Sequence, residues 1–549
     1  MTATTMPGAR TTPPDGHGVG ISASAISKRH PDGTTALDEV TLTIRPGRLT
    51  AIVGPSGAGK TTLLAALARV TTIDRGTVSY LADAAADNTG IGFVPQDDIL
   101  HGELPLRRTL RYAISLRMSA PATALDDAVS DAMETLGLSG LDDVPVHSLS
   151  GGQRKRASIA CEILTRPAIC FLDEPTSGLD PAAASSLIAL LERMAEHGST
   201  IVLTTHSIAD IERSDEVVVL APGGRIAATG TPADVLHRLG AANFSAVYEQ
   251  LAQGEQPQVP SQRAAEPVRT PRVMPRVRER NSHRPSAVSQ WLVLTRRAAD
   301  ILTRNRLTLA ILVGSPTAVI AMFAVLFRRG AASTDPAAAV QVAYWLSFAG
   351  FFFGLTFGLL QVCTEIPVLR RERQSGMRIG SYLASKIALL MPVLLVVNAA
   401  MLLVLRLLDR IPSLSAHALT ALYLTMALDA LAALCLGLLA SAAVTSTAQA
   451  ALALPMLCFP AVLFSGAMVP LPVMATAGRT IAAVMSDRWA FEGIAHHLRV
   501  AAVTGPQSPY ASLGSSAAAT YWMLLGLFAV IFAGAAYTVI RRRAARGVG

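Results

Sequence analysis

The amino-acid sequence predicts a multidomain chain in which an N-terminal α/β domain precedes an all-α domain of six transmembrane helices. A glycine-rich loop near residue 55 lies between a short apolar strand and the opening of a helix. Several uncharged runs after residue 306 are long enough to cross a bilayer. Between the two halves, residues 251–286 are rich in Pro, Gln, Ser and Arg, a composition typical of a linker.

The glycine-rich loop fits the phosphate-binding pattern G-x-x-x-x-G-K-[ST] from Gly54 to Thr61. Its glycines allow backbone N–H groups to surround an anion, and the start of the following helix adds a favourable dipole. We expect Lys60 to reach the β- and γ-phosphates of a nucleotide and Thr61 to bind Mg²⁺. The alternative is a glycine-rich turn that binds no ligand.

Acidic and polar residues after later apolar runs favour the nucleotide site. The strand at residues 168–172 ends at Asp173, which suits a Mg²⁺ site, and at Glu174, which suits a base for the attacking water. Gln96 and His206 each follow a further short apolar run. The first part of the chain is therefore predicted to be an α/β P-loop ATPase domain.

The order of these motifs resembles that of the ATP-binding cassette transporters. The signature Leu-Ser-Gly-Gly-Gln stands at residues 149–153, and Ser-Gly-Leu-Asp at residues 177–180 follows the acidic strand. Residues 95–101, 152–156 and 173–180 further resemble the G, or white-type, subfamily. Members of that subfamily are half-transporters in which the nucleotide domain comes first and an ABC-2-type membrane domain follows. The resemblance implies ATP and Mg²⁺ as cofactors.

The resemblance also gives each motif residue an expected role. The catalytic residues would be Glu174, His206 and Gln96, and the metal ligands would be Thr61, Gln96 and Asp173. The residues expected to contact ATP are Gly54, Pro55, Ser56, Gly57, Ala58, Gly59, Lys60, Thr61, Thr62, His30, Ser150, Gly151, Gly152, Gln153 and Asp180. His30 falls where the family places an aromatic residue that stacks on adenine. The alternative for His30 is an exposed histidine in a turn.

One phosphate loop and one signature in this chain imply a dimer. In the family, ATP is clamped between the phosphate loop of one subunit and the signature of the other. Lys60, Thr61, Gln96, Asp173, Glu174 and His206 would then act in cis, whereas Ser150, Gly151 and Gly152 would act in trans. The expected partner is a second copy of the chain, and a heterodimer is the alternative.

Composition narrows the class of protein. Hydrophobic residues make up 51% of the chain and the mean hydropathy is +0.41, which is too apolar for an ordinary soluble protein. The net charge is +8, but the arginines of the linker have no interleaved aromatic residues. A juxtamembrane segment facing anionic lipid is therefore favoured over a nucleic-acid site. The five cysteines have no metal-ligand spacing and are interpreted as small buried hydrophobes.

The predicted domains follow from these changes in composition. Residues 1–20 are expected to be a disordered tail without a signal peptide, and residues 21–250 the nucleotide-binding domain. After the linker, residues 287–306 are predicted to form a basic amphipathic connecting helix at the inner membrane interface. The transmembrane domain would occupy residues 307–549, with spans at about 307–327, 338–363, 384–407, 416–441, 447–469 and 517–540.

Arginine positions predict the topology. Arginines cluster before span one, after span two and after span six, in the loops that an even number of spans places in the cytoplasm. Arg328 and Arg329 stand on the opposite side and are interpreted as snorkelling at the interface. We therefore expect a multi-pass protein of the cell membrane, with the nucleotide domain and both termini in the cytoplasm.

Two features of the membrane half carry functional hypotheses. Residues 365–386, around Glu372, resemble the cytoplasmic loop that docks on the nucleotide domain in this subfamily, and a plain positive-inside loop is the alternative. Asp429 lies near the middle of span four, where a carboxylate costs on the order of 3 kcal/mol on insertion scales. We expect Asp429 to line the central cavity of the dimer. A structural hydrogen bond or a neutral acid is the alternative.

The resemblance implies an ATP-driven exporter of a small amphipathic or lipid-like substrate, surrounded by membrane lipid. An ATP-responsive membrane regulator or sensor that moves no solute is the alternative. Six apolar spans exclude a soluble DNA-repair or translation ATPase of the same superfamily, and we expect no nucleic-acid partner.

Overall fold

The computed structural model describes residues 19–80, 90–252 and 285–545. The chain divides into two compact units, one formed by the described residues up to Pro285 together with Gln374–Gly376, and the other by Ser286–Arg373 and Met377–Ala545. The predicted N-terminal tail, except its last two residues, lies outside the described residues. The same is true of residues 253–284, which include the linker arginines.

Two β-sheets organise the first unit. Its strands are β1 (Ile21–Arg29), β2 (Thr35–Ile44), β3 (Leu49–Val53), β4 (Arg75–Tyr80), β5 (Ile91–Val94), β6 (Ile169–Asp173), β7 (Thr200–Thr204), β8 (Glu216–Ala221) and β9 (Arg225–Gly230). The larger sheet has the order β5-β6-β7-β3-β8-β9, in which only β9 is antiparallel to its neighbour. The smaller sheet is antiparallel and has the order β2-β1-β4.

The central strands of the large sheet are covered on both faces. Every residue of β3, β6 and β7 is buried, as expected for parallel strands with helices or sheet on each side. Alternate residues enter different clusters: Ala51 and Leu172 pack into one, and Ile52 and Phe171 into the other. The helices of this unit are α1 (Lys60–Leu67), α2 (Leu106–Arg117), α3 (Ala122–Thr135), α4 (Gly151–Ile163), α5 (Pro181–Glu196), α6 (Ile208–Arg213), α7 (Pro232–Leu239) and α8 (Phe244–Ala252).

The described part of the second unit is helical. Its helices are α9 (Ala287–Arg304), α10 (Arg306–Leu326), α11 (Ala331–Thr334), α12 (Pro336–Leu359), α13 (Ile366–Gln374), α14 (Ile379–Leu407), α15 (Ala416–Ala443), α16 (Thr447–Phe464), α17 (Thr476–Ala483), α18 (Ser486–His497), α19 (Val500–Thr504) and α20 (Ala518–Ala545). Six of them, α10, α12, α14, α15, α16 and α20, are long and apolar enough to cross a membrane. The predicted fold class is therefore confirmed.

The helix ends differ from the predicted spans by a few residues. Helix α14 begins five residues before predicted span three, because the polar residues at its start still form helix. Helix α16 ends at Phe464 rather than at residue 469. Gly466 then adopts a φ of 88°, a left-handed conformation that stops a helix.

Glycines bring α12 and α15 into close contact. Gly350, Gly354 and Gly358 recur every four residues on α12, so they lie on one face. A Cβ on Gly354 would approach the Ala430 carbonyl oxygen to 2.4 Å, and a Cβ on Gly437 of α15 would approach the Leu355 oxygen to 2.5 Å. Such small-residue stripes allow the backbones of membrane helices to approach each other. The G-x-x-x-G pattern that encodes this contact is visible in the sequence, although our sequence analysis did not use it.

The segment between the last two spans is more structured than a loop. Residues 470–516, between predicted spans five and six, contain α17, α18 and α19. Along α18, the side chains of Asp487, Phe491 and Ile494 have no exposed surface. This segment therefore contributes to the core of the helical unit. All five cysteines are free, and four of them are buried.

Candidate nucleotide site

The predicted site residues gather at one edge of the large sheet. Strands β5, β6, β7 and β3 are adjacent and parallel, so their carboxyl ends meet at the same edge, where α/β sheets bind ligands. Gln96 follows β5, Asp173 ends β6, His206 follows β7 and the phosphate loop follows β3. Four segments that are distant in sequence therefore converge at one place.

The phosphate loop needs glycine at two of its positions because the backbone approaches other strands closely. A Cβ on Gly54 would lie 2.3 Å from the Leu220 carbonyl oxygen, and one on Gly59 would lie 2.2 Å from the Ala36 oxygen. Lys60 Nζ donates to the Gly54 and Pro55 carbonyl oxygens at 2.9 and 3.0 Å. Burial lowers the pKa of Lys60, whereas the nearby Glu174 and Asp173 carboxylates raise it. The two hydrogen bonds hold the Lys60 ammonium group against the loop backbone.

Asp173 and Thr61 form an oxygen-rich pair beside the loop. Thr61 Oγ1 donates to Asp173 Oδ1 at 3.1 Å, and Thr204 Oγ1 donates to the same oxygen at 2.6 Å. Burial raises the pKa of the Asp173 carboxyl, and these two hydrogen bonds oppose that rise. A carboxylate and a hydroxyl are the hard oxygen ligands that Mg²⁺ takes in nucleotide sites, together with phosphate oxygens. The residues present therefore fit the metal.

Glu174 lies at the centre of the three predicted catalytic side chains. Gln96 Nε2 donates to Glu174 Oε2 at 3.2 Å, and His206 Nδ1 is 3.7 Å from the same oxygen. The backbone of Glu174 adopts a φ of 45°, a conformation that costs energy for a residue with a side chain. The N–H of Glu174 donates to Thr204 Oγ1 at 2.9 Å, so Thr204 holds both acidic residues in place.

Asp210 is a site residue that our sequence analysis did not identify. Its Oδ2 accepts hydrogen bonds from Thr176 Oγ1 at 2.6 Å and from Thr205 Oγ1 at 2.8 Å. Thr176 follows the acidic pair, and Thr205 precedes His206, so one carboxylate fixes the segments on both sides of Glu174. Asp210 is 4% exposed. No sequence signal marks it, because it lies outside every motif.

Lys155 is a second residue that sequence reasoning missed. Its ammonium donates to the backbone oxygen of Gln96 at 2.6 Å and to that of Pro95 at 3.4 Å. Burial lowers the pKa of Lys155, and the Asp98 carboxylate, 3.7 Å away, raises it. Lys155 comes from α4, so it joins the helix that follows the signature to the segment that carries Gln96.

The signature and its neighbours cap helices within this chain. Ser150 and Gln153 form a capping box at the start of α4, in which each side chain accepts from the other residue's backbone N–H. Asp180 caps α5 by accepting from the N–H groups of Ala182 and Ala183. Adding a Cβ at Gly151 would meet nothing within 4 Å. The exposed start of α4 is therefore open to a partner molecule.

His30 lies in the turn between β1 and β2, where its N–H donates to the Thr34 oxygen at 2.8 Å. The turn leads into β2, whose Ala36 oxygen packs against Gly59. His30 precedes Ala36 by six residues in the sequence. Its contact with adenine stays a prediction.

The stretch that resembles a docking loop is held by ion pairs. Arg297 of α9 forms a bidentate pair with Glu372 of α13, and the second of its two hydrogen bonds is 2.9 Å long. The Arg297 side chain is 6% exposed. Glu365 accepts from Lys386 Nζ at 2.7 Å and from the Tyr382 hydroxyl at 2.8 Å. These contacts fix α13 against α9 and α14.

Asp429 does not occupy the position that the sequence suggested. It has no exposed surface within a single chain, because α12 and α15 pack so closely that a Cβ on Gly350 would lie 2.9 Å from Asp429 Oδ2. A residue enclosed by its own chain cannot line a cavity between two chains, so the prediction of a cavity-lining Asp429 was wrong. Its expected orientation away from lipid agrees with the structure.

Two family models match the chain. One, described as ABC transporter, covers residues 37–177, and the other, described as ABC-2 type transporter, covers residues 289–498. The first contains the phosphate loop and the acidic pair, and the second contains five of the six long apolar helices. These matches define an ABC-type ATPase domain followed by an ABC-2 membrane domain in a multi-pass membrane protein.

Three relatives of this chain are also described as ABC transporter proteins. The ABC transporter ATP-binding/permease protein Rv1747 of Mycobacterium tuberculosis is 32% identical, over 93% of this chain and 62% of the relative. ABC transporter G family member 21 of Arabidopsis thaliana is 39% identical over 33% of this chain and 29% of that protein. A putative ABC transporter ATP-binding protein of Methanothermobacter marburgensis is 34% identical over 39% of this chain and 80% of the relative. The chain belongs to the ABC transporter family, with the half-transporter order of domains found in the G, or white-brown, group.

Proposed function

We propose that this protein is an ATP-driven exporter that works as a dimer and moves a small amphipathic or lipid-like substrate across the cell membrane. The observation that carries the ATPase step is the convergence of Gln96 and His206 on one carboxylate oxygen of Glu174, beside the Asp173–Thr61 pair. This arrangement supports Glu174 as the base, with Gln96 and His206 as its polar neighbours, and the Asp173–Thr61 pair as the metal ligands.

Different residues of the site would carry out different parts of ATP hydrolysis. Lys60 and the loop amides would bind the phosphates, and Thr61 and Asp173 would hold Mg²⁺. The metal, when bound, neutralises charge that develops on the phosphates. Glu174 would orient the attacking water, with Gln96 and His206 keeping its carboxylate in position. Asp210 acts as a positioning residue, because it touches the loops around Glu174 rather than the nucleotide.

The dimer completes the site. Ser150, Gly151 and Gly152 stand at the exposed start of α4, where backbone N–H groups can bind a phosphate of the partner's nucleotide. A homodimer is favoured, since both motifs are intact in this chain. ATP binding would close the dimer and hydrolysis would reopen it, and the segment held by the Arg297–Glu372 pair would pass that motion to the membrane helices.

Mixing two inactive subunits tests the shared site. Lys60→Ala removes the loop's charge and Ser150→Arg blocks the signature, so each variant should be inactive alone. Co-expressed with different affinity tags and purified through both, the mixed dimer has one intact composite site and should recover a substantial part of wild-type ATPase activity. Recovery of no activity in mixed dimers of normal size would contradict a composite site. Hydrolysis that appears only with a second gene product would indicate a heterodimer.

Transport is tested separately. The purified protein in proteoliposomes, with the nucleotide domain outside, should move a lipid or an amphipathic compound from a test panel into the lumen only with ATP. Glu174→Gln protein is the matched control. ATP hydrolysis without movement of any compound would favour the regulator or sensor. The name of the mycobacterial relative, a permease, supports transport. Protease accessibility of the nucleotide domain in spheroplasts and in inverted vesicles tests the predicted cytoplasmic side.

A further inference from the structure

A cavity of about 660 Å³ lies in the second unit, among residues that have no part in the nucleotide site described above. Its walls come from the first turns of α9, from Arg373 of α13, from Met377 and the start of α14, and from the end of α20. Helix α14 begins here and helix α20 ends here, and both are candidate membrane spans. The cavity therefore lies at the level where two spans leave the hydrocarbon region.

Hydrogen bonds fix the walls of the cavity. The N–H of Arg378 donates to Gln290 Oε1 at 3.0 Å, and Ser381 Oγ donates to the Ala287 oxygen at 2.8 Å. These two contacts join the start of α9 to the start of α14. Arg373 Nη1 donates to the backbone oxygen of Arg541 at 2.8 Å, which joins α13 to the end of α20. The cavity is preformed by contacts between elements that are distant in sequence.

Part of the cavity lining is strongly cationic. Arg373, Arg378 and Arg541 line it, and no acidic residue does. In the described part of the chain, none of these guanidinium groups has a carboxylate partner. The nearest acidic residue in sequence, Glu372, pairs with Arg297 instead. Three guanidinium groups without a counter-charge at one preformed cavity fit a phosphate group, for which arginine offers paired donors.

Other residues that line the cavity are apolar or aromatic. Trp291, Met377 and Ala384 line it, as do Val288 and Tyr537, which are 63% and 38% exposed. Tryptophan and tyrosine concentrate at the headgroup level of membranes, where one end of the ring is apolar and the other is wet. A soluble phosphate compound would leave this apolar wall uncovered, whereas an acyl chain would cover it.

We propose that this cavity binds an anionic phospholipid, with its phosphate at Arg373, Arg378 and Arg541 and the first part of an acyl chain along Val288, Trp291 and Tyr537. The site is specific for headgroup charge, because a zwitterionic headgroup brings its own cation to three guanidinium groups. It also links α9 and α13, the helices joined by the Arg297–Glu372 pair, to the ends of two spans. Binding does not depend on hydrolysis or transport, so it stands apart from the proposed function.

Trp291 provides a local reporter. The full-length protein is placed in nanodiscs of phosphatidylcholine that contain a small fraction of phosphatidylglycerol brominated on its acyl chains, which quenches nearby tryptophan. The quenching lost in Trp291→Phe protein isolates the signal of Trp291. We compare the lipid fractions that give the same quenching of Trp291. The fraction of brominated phosphatidylglycerol should be at least fivefold lower than that of brominated phosphatidylcholine.

The variant Arg378→Gln/Arg541→Gln should remove that preference. Arg296→Gln/Arg304→Gln is the matched control, since it removes the same charge from exposed positions outside the cavity and should keep the preference. If the double variant does not fold, the single variant Arg541→Gln replaces it in the experiment, because that side chain is exposed. This variant should reduce the preference for phosphatidylglycerol at least twofold. Equal quenching by both lipids, or an equal loss in the control, would overturn the proposal. Reversal by millimolar inorganic phosphate would show a site for soluble anions instead.

Discussion

Two buried aspartates, one in each unit, have opposite surroundings. Asp173 in the first unit is 3% exposed and Asp429 in the second is 0% exposed. One oxygen of Asp173 accepts hydrogen bonds from two threonine hydroxyls. Within residues 285–545, neither oxygen of Asp429 has a hydrogen-bond partner. Burial alone therefore does not make a carboxylate a ligand site, and the donors around it decide what it can do.

The difference follows from the elements that carry the two residues. Asp173 ends a parallel strand at the sheet edge, where neighbouring loops supply polar groups. Asp429 lies in the middle of α15, whose own backbone groups are already paired within the helix, and against α12, which presents glycine. An acidic residue from another element, Asp487 on α18, interacts electrostatically with Asp429. Its Oδ1 accepts from Ser347 Oγ at 2.7 Å. Ser347 and Gly350 are almost one turn apart on α12, so the two carboxylates face the same side of that helix.

The largest expected effect lies in the nucleotide unit. Glu174→Gln should lower ATP turnover by about 10²-fold or more while nucleotide binding persists, because the amide keeps the shape but cannot act as a base. Turnover is measured by phosphate release, and binding by a fluorescent nucleotide analogue. Glu212→Gln, at an exposed position on α6, is the control and should keep parental turnover. Near-normal turnover in Glu174→Gln protein would remove the assigned role.

Asp210→Ala tests whether a buried, well-partnered carboxylate outside the motifs matters. It leaves the Thr176 and Thr205 hydroxyls without their acceptor, so the loops on both sides of Glu174 lose a fixed position. We expect kcat to fall about tenfold with KM for ATP changed less than threefold, since no nucleotide contact is lost. Asp210→Asn retains one acceptor oxygen and should recover part of kcat. A change in KM alone would indicate nucleotide contact instead of positioning.

Stability of the second unit should depend on pH through Asp487. Burial raises the pKa of its carboxyl to about 7, and the hydrogen bond from Ser347 opposes that rise. The groups that face it are Ser347 and Tyr344 on α12, Cys458 on α16 and Asp429 on α15. A carboxyl whose pKa is higher in the folded protein than in the unfolded chain favours folding only while it is protonated. The stability is therefore greatest below the pKa of the unfolded chain, and it is lost as the pH rises towards 7 and above. Going from pH 8 to pH 6 should stabilise the protein by about 1.4 kcal/mol.

The pH dependence is measured as the melting temperature of the detergent-purified protein. Asp487→Asn should flatten the change between pH 8 and pH 6, whereas Asp335→Asn, an exposed residue before α12, should leave it as in the parent. A melting temperature that falls as pH is lowered, or an unchanged slope in Asp487→Asn protein, would contradict an ionisable Asp487 in the core.

The smallest effect on catalysis should come from Asp429. Asp429→Asn replaces a carboxyl that has no hydrogen-bond donor among the described residues. Basal ATPase activity should therefore stay within about twofold and the melting temperature should hold, because no hydrogen bond is lost. Asp173→Asn is the informative partner, since the same substitution there should abolish Mg²⁺-dependent hydrolysis. Identical behaviour of the two variants would remove the contrast between the units.

The motifs could be read from the sequence because their chemistry is local. The phosphate loop, the acidic pair and the signature each consist of a few consecutive residues, and the backbone shape that they require is encoded by glycine at fixed spacing. The six spans were visible for a similar reason: a membrane helix needs about 20 apolar residues in a row. Span ends were less accurate, because polar residues at the start of α14 continue a helix that hydropathy alone does not detect.

Only the tertiary structure brought together residues that share no motif. Asp210 holds two loops that follow different strands, and Lys155 reaches across to the backbone at Gln96. Asp429 looked like a cavity residue in the sequence, but glycines on another helix enclose it. The cationic cavity brings together Arg373 of α13 and Arg541 of α20, which are 168 residues apart in the sequence. Hydrogen bonds and burial act over a few ångströms, whereas the sequence specifies only the order along the chain. Packing between distant elements therefore decided what these residues contact.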